Sequence, residues 1–299
     1  MAKLWEEIKD NTAKLWEEIK DNTTFSEIVQ ACLLADRVRV DAYKAAIDRH
    51  VKKGSIVVDL GTGSGIFAKL AADAGAKKVY AIEIDPKMIK VAKKNLLKLK
   101  NVKVIRTNIY DFKPKEKADV VIGELTNTGC ILEEQVPAFN HAIKYILKKG
   151  GTLIPYSIKS SIELVNFEFD TYGVRLDWPL MYWKDEMPPL KYFSKPVVYD
   201  NLIFDKINPL NNSKNLKVKI LKTGKVNAVL IRSFVETTKG VILKPRESIS
   251  SRMLVPIQKE VKVTKGKEKV VNIQWRYNSD WRKFRVTIQK NKKYARTGI

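Results

Sequence analysis

Short apolar runs alternate with longer amphipathic stretches in the first half of the chain, a pattern that predicts a parallel sheet covered by helices. Residues 24–50 have helical spacing throughout. The predicted strands are 55–60, 79–82, 102–106 and 119–123, and the predicted helices between and after them are 66–74, 86–100 and 136–147. Strands that alternate with helices form right-handed crossovers. We therefore predict an α/β fold, with an N-terminal helical segment (1–50) followed by a Rossmann-like doubly wound domain (51–156).

The pattern changes after Pro155 to short, alternating or β-branched segments. Examples are 216–220, 228–231 and 284–288, with predicted turns near Asn211-Asn212, Thr223-Gly224 and Lys265-Gly266. The second half, residues 157–299, is therefore predicted to be an all-β, barrel-like domain. At the other end of the chain, residues 2–12 repeat as residues 13–23. We interpret this repeat as a duplication that extends one N-terminal helix.

Composition excludes several classes of protein. The sequence is 44% hydrophobic, which indicates a folded globular protein, and it has no apolar run of the length that a membrane span needs. The N-terminus does not resemble a signal peptide. Cys32 and Cys130 are the only cysteines, so we expect no disulfide framework and no metal site. We expect a cytoplasmic location.

The net charge of +23 is concentrated in the second half of the chain. Residues 158–299 contain 29 basic and 13 acidic residues, a net charge of +16, whereas residues 1–50 have 8 and 10. A solvated lysine-rich surface would account for this excess. The alternative is a surface for an anionic polymer, because clustered cations gain by releasing counterions from phosphates.

A glycine-rich turn follows the first predicted strand and indicates a nucleotide-type cofactor. Asp59 ends that strand, Gly61, Gly63 and Gly65 follow, and Ile66 occupies the position where a dinucleotide fingerprint would place glycine. Glu83 ends the second strand, where a carboxylate can accept hydrogen bonds from a ribose diol. This D-x-G-x-G-x-G form resembles the first motif of class I methyltransferases, which implies S-adenosylmethionine as the cofactor, and a glycine turn of another doubly wound fold is the alternative. The expected cofactor-binding residues in this part of the chain are Asp59, Gly61, Thr62, Gly63, Gly65, Glu83, Ile84, Asn108 and Ile109.

An acidic loop follows the fourth predicted strand in an otherwise basic chain. It reads GELTNTGCILEE over residues 123–134 and contains no basic residue. Glu124 and Glu133 are the candidate catalytic residues, and Glu134 could replace Glu133 as the inward-facing carboxylate. The simpler explanation is a solvated acidic turn.

With these motifs placed, the chain resembles the protein arginine methyltransferase family over most of its length. The matching stretches are LLADRVRVDAYKAAI (33–47), AGAKKVYAIE (74–83), the acidic loop and GGTLIPYS (150–157). The resemblance implies that Arg39 binds the carboxylate of the cofactor. It also implies that Glu124 and Glu133 form the family's double-glutamate loop, which holds the substrate guanidinium. The family dimerises through an arm, for which residues 170–195 are the candidate segment, so a homodimer is an open alternative.

Two substrate motifs of that family are missing. The region near residues 20–24 reads KDNTT where the family has Tyr-Phe-x-x-Tyr, and ESISSRMLVPI (247–257) has neither His nor Trp where the family has Thr-His-Trp. The resemblance therefore supports the fold, the cofactor and N-methylation more strongly than it supports arginine as the substrate.

Paired carboxylates suit two kinds of acceptor nitrogen. They can hold a guanidinium by bidentate hydrogen bonds, or accept an N–H from an exocyclic base amine and receive its proton. A basic second domain would repel arginine-rich proteins and attract RNA. We therefore predict an S-adenosylmethionine-dependent N-methyltransferase acting on RNA, with cytidine N4 in ribosomal RNA as the specific hypothesis. Protein arginine methylation is the alternative, and a non-catalytic RNA-binding protein is the third.

Basic and aromatic residues interleave near the end of the chain and could contact unpaired bases. For each of these tryptophans, packing in the core is the competing explanation. The candidate substrate-binding residues are Asn127 in the acidic loop, Trp275 and Trp281.

Overall fold

The computed structural model describes residues 23–175, 177–182, 189–245 and 251–289. Its first part contains a parallel five-stranded sheet in the order β3-β2-β1-β4-β5. The apolar runs of the sequence form these strands, and their side chains are mostly buried on both faces, as a sheet between helical layers requires. The strands are β1 Ile56–Leu60, β2 Lys78–Glu83, β3 Val102–Arg106, β4 Ala118–Gly123 and β5 Leu147–Ile154.

Five α-helices accompany this sheet. Asp36 caps the second helix by accepting a hydrogen bond from the Arg39 backbone N–H, and Asp85 caps the fourth, which begins at Pro86. A π-helical turn, Ala142–Ile146, continues from the fifth. The helices are α1 Thr23–Ala35, α2 Arg37–His50, α3 Ile66–Asp73, α4 Pro86–Leu96 and α5 Gln135–His141.

Helix α4 ends four residues before the predicted end at Lys100. The chain has to reverse direction before β3 begins at Val102, and Asn101 stabilises this reversal by donating a hydrogen bond to the Ala76 carbonyl at 2.8 Å. The helical spacing of Leu96 and Leu99 therefore continues past the point at which the helix stops.

The second part is antiparallel. Its larger sheet has the order β10-β6-β13-β15-β9, with β11 also paired to β6 and β14 to β13, and a three-stranded sheet has the order β12-β16-β17. A separate hairpin pairs β7 with β8. The strands are β6 Ser157–Asn166, β7 Asp170–Thr171, β8 Val174–Arg175, β9 Leu180–Tyr182, β10 Lys191–Tyr192, β11 Val197–Ile203, β12 Asn211–Lys219, β13 Gly224–Thr238, β14 Val241–Leu243, β15 Arg252–Val263, β16 Glu268–Arg276 and β17 Arg285–Ile288.

This arrangement confirms the predicted fold class, a Rossmann-like α/β domain followed by a β-rich region. One predicted turn is wrong. Asn211 and Asn212 begin β12, where they pair with Arg276 and Trp275 of β16, so their turn-forming tendency is overridden by sheet pairing.

The two parts share one hydrophobic core, which extends from the helices of the parallel sheet to both antiparallel sheets. Phe139 of α5 packs edge-on against Phe204 of the second part, with ring centroids 4.7 Å apart. On the other side, the Thr237 hydroxyl donates to the Ala42 carbonyl of α2 at 2.8 Å. The parallel sheet ends at Ile154 and β6 begins at Ser157, but because the core is continuous the division into domains at residue 156 stays a prediction.

The strand order brings three loops together at one edge of the parallel sheet. Leu60, at the end of β1, is in register with Ile82 of β2 on one side and with Gly123 of β4 on the other. The glycine turn, Glu83 and the acidic loop therefore leave the sheet side by side. This edge is the place where open α/β sheets bind ligands.

Within the described part of the chain, no helix is long and apolar enough to cross a membrane. The same residues include no group of three or more His, Cys, Asp or Glu side chains placed to hold a metal ion.

Candidate active site

Asp59 organises the glycine turn from beneath. The residue is 1% exposed, and its Oδ2 accepts hydrogen bonds from the Thr62 hydroxyl at 2.5 Å and from the Ala68 backbone N–H at 3.1 Å. Burial raises the pKa of this carboxyl group to about 7, and the Glu83 charge adds to the rise. Asp59 thus ties the strand end to the first turn of α3, while its Oδ1 is buried without a hydrogen-bond partner.

Glu83 spans the adjacent strand end. Its Oε1 accepts the backbone N–H groups of Ile84 and Asp85 at 2.8 and 3.0 Å, and its Oε2 accepts that of Gly63 at 2.9 Å. A carboxylate has about four lone-pair sites, so about one remains, on Oε2. A ribose hydroxyl could donate there, although the predicted pair of hydrogen bonds from a diol would have to displace the Gly63 N–H.

The glycine turn leaves little room above its backbone. Gly63 has φ +52, and a Cβ atom added there would lie 2.5 Å from Oε1 of Gln30 in α1. Gly61 has φ +69, and its added Cβ would lie 2.8 Å from Leu125. Only glycine combines these left-handed conformations with such close approach. The left-handed glycines and the free lone pair of Glu83 fit a nucleoside cofactor bound against the backbone, in the space that the Gln30 and Leu125 side chains occupy here.

The other predicted cofactor residues lie around the same edge. Ile84 follows Glu83 and is 59% exposed, so its side chain is available to cover a bound ring. Asn108 follows β3 and accepts the Tyr110 N–H at 3.0 Å, which starts a short 3-10 helix at Ile109.

Helix α2 contributes the positive charge that faces the acidic loop. Arg39 of α2 places Nη1 3.0 Å from Oε2 of Glu124, and both side chains are almost buried. The Thr126 hydroxyl donates to the other oxygen, Oε1, at 2.8 Å. The structure therefore pairs Arg39 with Glu124, whereas the family resemblance assigned it to the cofactor carboxylate. Both oxygens of Glu124 are held in place before any substrate binds.

Glu133 is the second carboxylate of the acidic loop, and we call the group formed by Arg39, Glu124 and Glu133 the recess. Glu133 is exposed, yet loss of hydration around its carboxyl group raises its pKa to about 7. The Glu124 charge raises that pKa further and Arg39 opposes the rise, so the three groups lie within electrostatic reach of each other. Glu134 lies beside Tyr110 instead, where its charge and hydrogen bond, after burial, help to raise the tyrosine pKa to about 12. Of the two candidates, Glu133 is the one placed with Glu124.

The second part of the protein holds the acidic loop in position. The Gly129 N–H donates to the Ser233 hydroxyl at 2.8 Å, and the Thr128 hydroxyl donates to the Ser251 carbonyl at 2.6 Å. From the segment after β16, the N–H groups of Asn278 and Ser279 donate to the Cys130 and Ile131 carbonyls at 3.3 and 2.6 Å. The separation of Glu124 from Glu133 is therefore set by both parts of the chain.

Two further side chains of the recess were not predicted. Tyr43 has a fully buried hydroxyl without a hydrogen-bond partner, and burial, followed by the Glu124 charge, raises its pKa well above the usual range. Gln135 accepts the Leu125 N–H at 3.0 Å, while its Nε2 has no partner. Tyr43 follows Arg39 by four residues and so shares its helix face, which is a signal that the sequence carried.

Trp275 and Trp281, two of the predicted substrate-binding residues, belong to one aromatic cluster with Tyr199 and Phe284, and the Tyr199 hydroxyl lies beside Gly129 of the acidic loop. Asn127 lies in the acidic loop, where its Oδ1 accepts the Leu132 N–H at 3.3 Å and its Nδ2 is buried without a partner. Trp275 is only 6% exposed and packs against Tyr199, with ring centroids 5.1 Å apart. This burial disagrees with the expected stacking role, because neither ring face is open to a base. Trp281 is partly buried against Phe284.

Comparison with known proteins identifies the fold and the cofactor. Residues 44–161 match the family model described as ribosomal protein L11 methyltransferase (PrmA). An uncharacterised protein of Methanocaldococcus jannaschii is 33% identical over 259 residues, 86% of this chain and 95% of that protein. A probable protein arginine N-methyltransferase 6.1 of Oryza sativa subsp. indica is 36% identical over 132 residues, which are 42% of this chain and 35% of that protein.

Among solved structures, a Trypanosoma brucei PRMT1 enzyme–prozyme heterotetrameric complex with AdoHcy superimposes with a TM-score of 0.71 at 15% identity. The match covers 82% of this chain and 87% of that chain. These matches confirm the expectation of an enzyme that uses S-adenosylmethionine. The chain belongs to the same family as the archaeal protein, and this family is one of class I S-adenosylmethionine-dependent methyltransferases that resemble the protein arginine methyltransferases.

Proposed function

We propose that this enzyme methylates a nitrogen atom of a planar, conjugated amine that is held between Glu124 and Glu133. The observation that carries the proposal is the difference between the two carboxylates. Glu124 has a fixed hydrogen-bond partner on each oxygen, whereas Glu133 is exposed and has a pKa raised to about 7. Two carboxylates in different environments can take different chemical roles.

In this proposal Glu124 orients the acceptor and Glu133 receives the proton. S-adenosylmethionine, when bound, supplies a methyl group activated by its positively charged sulfur. Glu124 accepts an N–H of the amine, which directs the nitrogen lone pair towards that methyl group. As the N–C bond forms and the C–S bond breaks, an N–H proton passes to the ionised Glu133 carboxylate. The glycine turn at Gly63, with Glu83 and Asp59, holds the cofactor at the adjacent strand ends.

An arginine guanidinium is the acceptor that the comparisons favour. The matched relative from rice is a probable arginine methyltransferase, and paired glutamates suit the guanidinium fork. The match to that protein spans about a third of its length, so its substrate class enters here only as part of the proposal.

An exocyclic base amine in RNA is the second candidate, and the charge distribution of this chain favours it. Residues 158–299 carry a net charge of +16, and two substrate motifs of the arginine methyltransferases are absent from the sequence. Cytidine N4 in ribosomal RNA is the specific hypothesis. An unpaired or flipped base would be needed to reach the recess.

The test supplies purified enzyme and methyl-labelled cofactor with total RNA and, separately, with an arginine–glycine-rich peptide. Each reaction is repeated with Glu124→Gln and with Glu134→Gln. The second variant is a matched control, because Glu134 lies on the same loop but beside Tyr110. We expect Glu124→Gln to abolish labelling of the true substrate and Glu134→Gln to preserve it.

The label identifies the acceptor. Label in the peptide alone would establish arginine, and label in RNA alone would establish a nucleic-acid substrate, with nucleoside digestion locating the methyl group. Equal labelling by the wild type and Glu124→Gln would refute the proposed recess.

We propose further that the protein self-associates through the β7–β8 hairpin. Tyr172 is fully exposed, and Val174, Trp178 and Met181 are each at least half exposed, so this segment presents apolar surface to solvent. The matched Trypanosoma brucei protein is part of a heterotetrameric complex.

We propose a cytoplasmic location for the present protein, because the exposed thiol of Cys32 would stay reduced there.

A further inference from the structure

A second polar cleft lies on the outer face of the three-stranded sheet β12-β16-β17. It is open to solvent and has a volume of about 620 Å³. Its cationic side chains are Arg276, Lys283 and Arg285, and all three are exposed. None of the three takes part in the proposed reaction.

Sheet pairing arranges Arg276 and Arg285 in two rows with neutral hydrogen-bonding groups, whereas Lys283 lies on the 3-10 turn just before β17. Ser213, Gln274 and Arg285 lie directly opposite one another across β12, β16 and β17. In the next row on the same face, Arg276 is opposite Asn211 and donates to its Oδ1 at 3.0 Å. That hydrogen bond holds the Arg276 guanidinium over the sheet. The arrangement is therefore fixed by the backbone register.

Acidic groups do not neutralise the cleft. Of the described residues that line it, none is Asp or Glu. The nearest acidic residue in sequence is Asp280, and both of its oxygens accept hydrogen bonds from the Arg282 guanidinium, at 2.9 and 3.1 Å. Asp280 also lies within electrostatic reach of Lys283 and partly offsets its charge, so the cleft attracts an anion chiefly through Arg276 and Arg285.

The cleft adjoins the acidic loop. Arg276 ends β16, and Ser279, three residues later, donates its N–H to the Ile131 carbonyl at 2.6 Å. Glu133 follows two residues after Ile131. With about 3.8 Å between successive Cα atoms, this path places Arg276 within about 25 Å of Glu133. A short single-stranded segment of nucleic acid could span that distance.

We propose that this cleft binds the phosphate backbone of an RNA whose target base enters the recess between Glu124 and Glu133. Arginine guanidinium groups bind phosphate oxygens through paired hydrogen bonds. The neutral Ser213, Asn211 and Gln274 side chains can contact sugar hydroxyls and base edges. The proposal rests on the proposed N-methyltransferase function and deepens it by naming RNA as the substrate class. An arginine-rich peptide would meet three like charges here.

The experiment measures binding of a short, labelled single-stranded RNA to the full-length protein by fluorescence anisotropy, over about 50 to 200 mM salt. The variant is the triple substitution Arg276→Ala, Lys283→Ala and Arg285→Ala. These side chains are exposed, so the fold should persist, which circular dichroism would verify.

The matched control removes the same charge elsewhere. Lys93, Lys98 and Lys100 are exposed at the end of α4 and after it, towards the opposite edge of the parallel sheet. We expect the cleft variant to bind RNA at least about tenfold more weakly, with a salt dependence less steep by about 2, since each lost contact on a single strand contributes ~0.7. The control triple variant should stay close to the wild type.

Each result decides one proposal. Equal weakening in both triple variants would show that only total charge matters and would overturn the cleft. Absence of RNA binding by the wild type, together with Glu124-dependent labelling of the arginine–glycine-rich peptide, would also overturn the cleft but leave the proposed recess standing. If RNA bound through the cleft and Glu124→Gln still gave full labelling, the proposed role of the cleft would be supported and the proposed recess would be refuted.

Discussion

The glycine turn and the acidic loop leave neighbouring strands at the same sheet edge, but they are stabilised in different ways. Asp59 holds the glycine turn through partners no more than nine residues away, Thr62 and Ala68. The acidic loop depends on distant partners, including Arg39, Ser233 and Ser279. The glycine turn is therefore held within the first part of the chain, by Asp59 and by Glu83 of the next strand, whereas the acidic loop requires both parts. Such an arrangement lets the acceptor change while the cofactor stays the same.

The largest expected effect separates these two regions. Glu124→Gln removes a negative charge from the recess without touching the glycine turn. We expect turnover to fall at least about 100-fold, the range of a lost positioning or proton-transfer group, while cofactor affinity stays within about twofold. Single-turnover kinetics and isothermal titration with S-adenosylhomocysteine would measure the two quantities. A parallel loss of cofactor affinity would mean that the regions are not separable.

The Arg39–Glu124 pair gives a second test of the difference between the two regions, in which the free energy of unfolding is measured. Arg39→Gln leaves the Glu124 carboxylate nearly buried without its cation, and breaking such a pair costs about 3 kcal/mol in the free energy of unfolding. Adding Glu124→Gln to that variant should recover much of the loss, because the isolated charge is then gone. Urea unfolding of the wild type, both single variants and the double variant would give the coupling. Additive effects would contradict the pairing.

The pH dependence sharpens the distinction between the two carboxylates. With its pKa raised to about 7, Glu133 is mostly protonated at lower pH and becomes ionised as the pH rises. Only the ionised form can accept a proton, so kcat/KM should rise about tenfold per pH unit below that value and level off above it. A Glu133→Gln variant should lose this inflection in its residual activity. An inflection that persists in the variant would assign the titration to another group.

The smallest expected effect concerns the long-range support of the acidic loop. Ser233→Ala leaves the Gly129 N–H without its acceptor and should lower the free energy of unfolding by about 1 kcal/mol. We expect a few-fold loss of turnover as well, since Glu133 is positioned by the same loop. Ser213→Ala, on the exposed face of β12, is the control for stability. A Ser233→Ala variant with unchanged turnover would show that the loop holds its shape without this contact.

Structural features that depend on residues a few positions apart were predictable from the sequence. The ends of β1 at Leu60 and of β2 at Glu83, the glycine turn and the change to antiparallel strands all follow from patterns within a few residues. The Arg39–Glu124 pair could not be predicted in this way, because the residues are 85 positions apart and meet only after folding. The N-terminal repeat lies almost wholly outside the described residues, as do residues 183–188 of the candidate dimerisation arm and residues 247–250 of the segment compared with the Thr-His-Trp loop.

The burial of Trp275 was predictable in principle. Side chains alternate along a strand, and in β16 Gln274 and Arg276 are exposed, which turns Trp275 towards the core. The exposed face then contributes cations and amides, and the opposite face contributes the ring.

The packing of Phe139 against Phe204 has a consequence for engineering. A shortened protein that stops at residue 156 would keep the cofactor-binding residues. The face of α5 that packs against the β-rich part would then be exposed to water. That fragment should aggregate or require a solubilising partner. Exchanging the β-rich part between relatives would therefore succeed only if the apolar residues of α5 that pack against it are exchanged together with the strands.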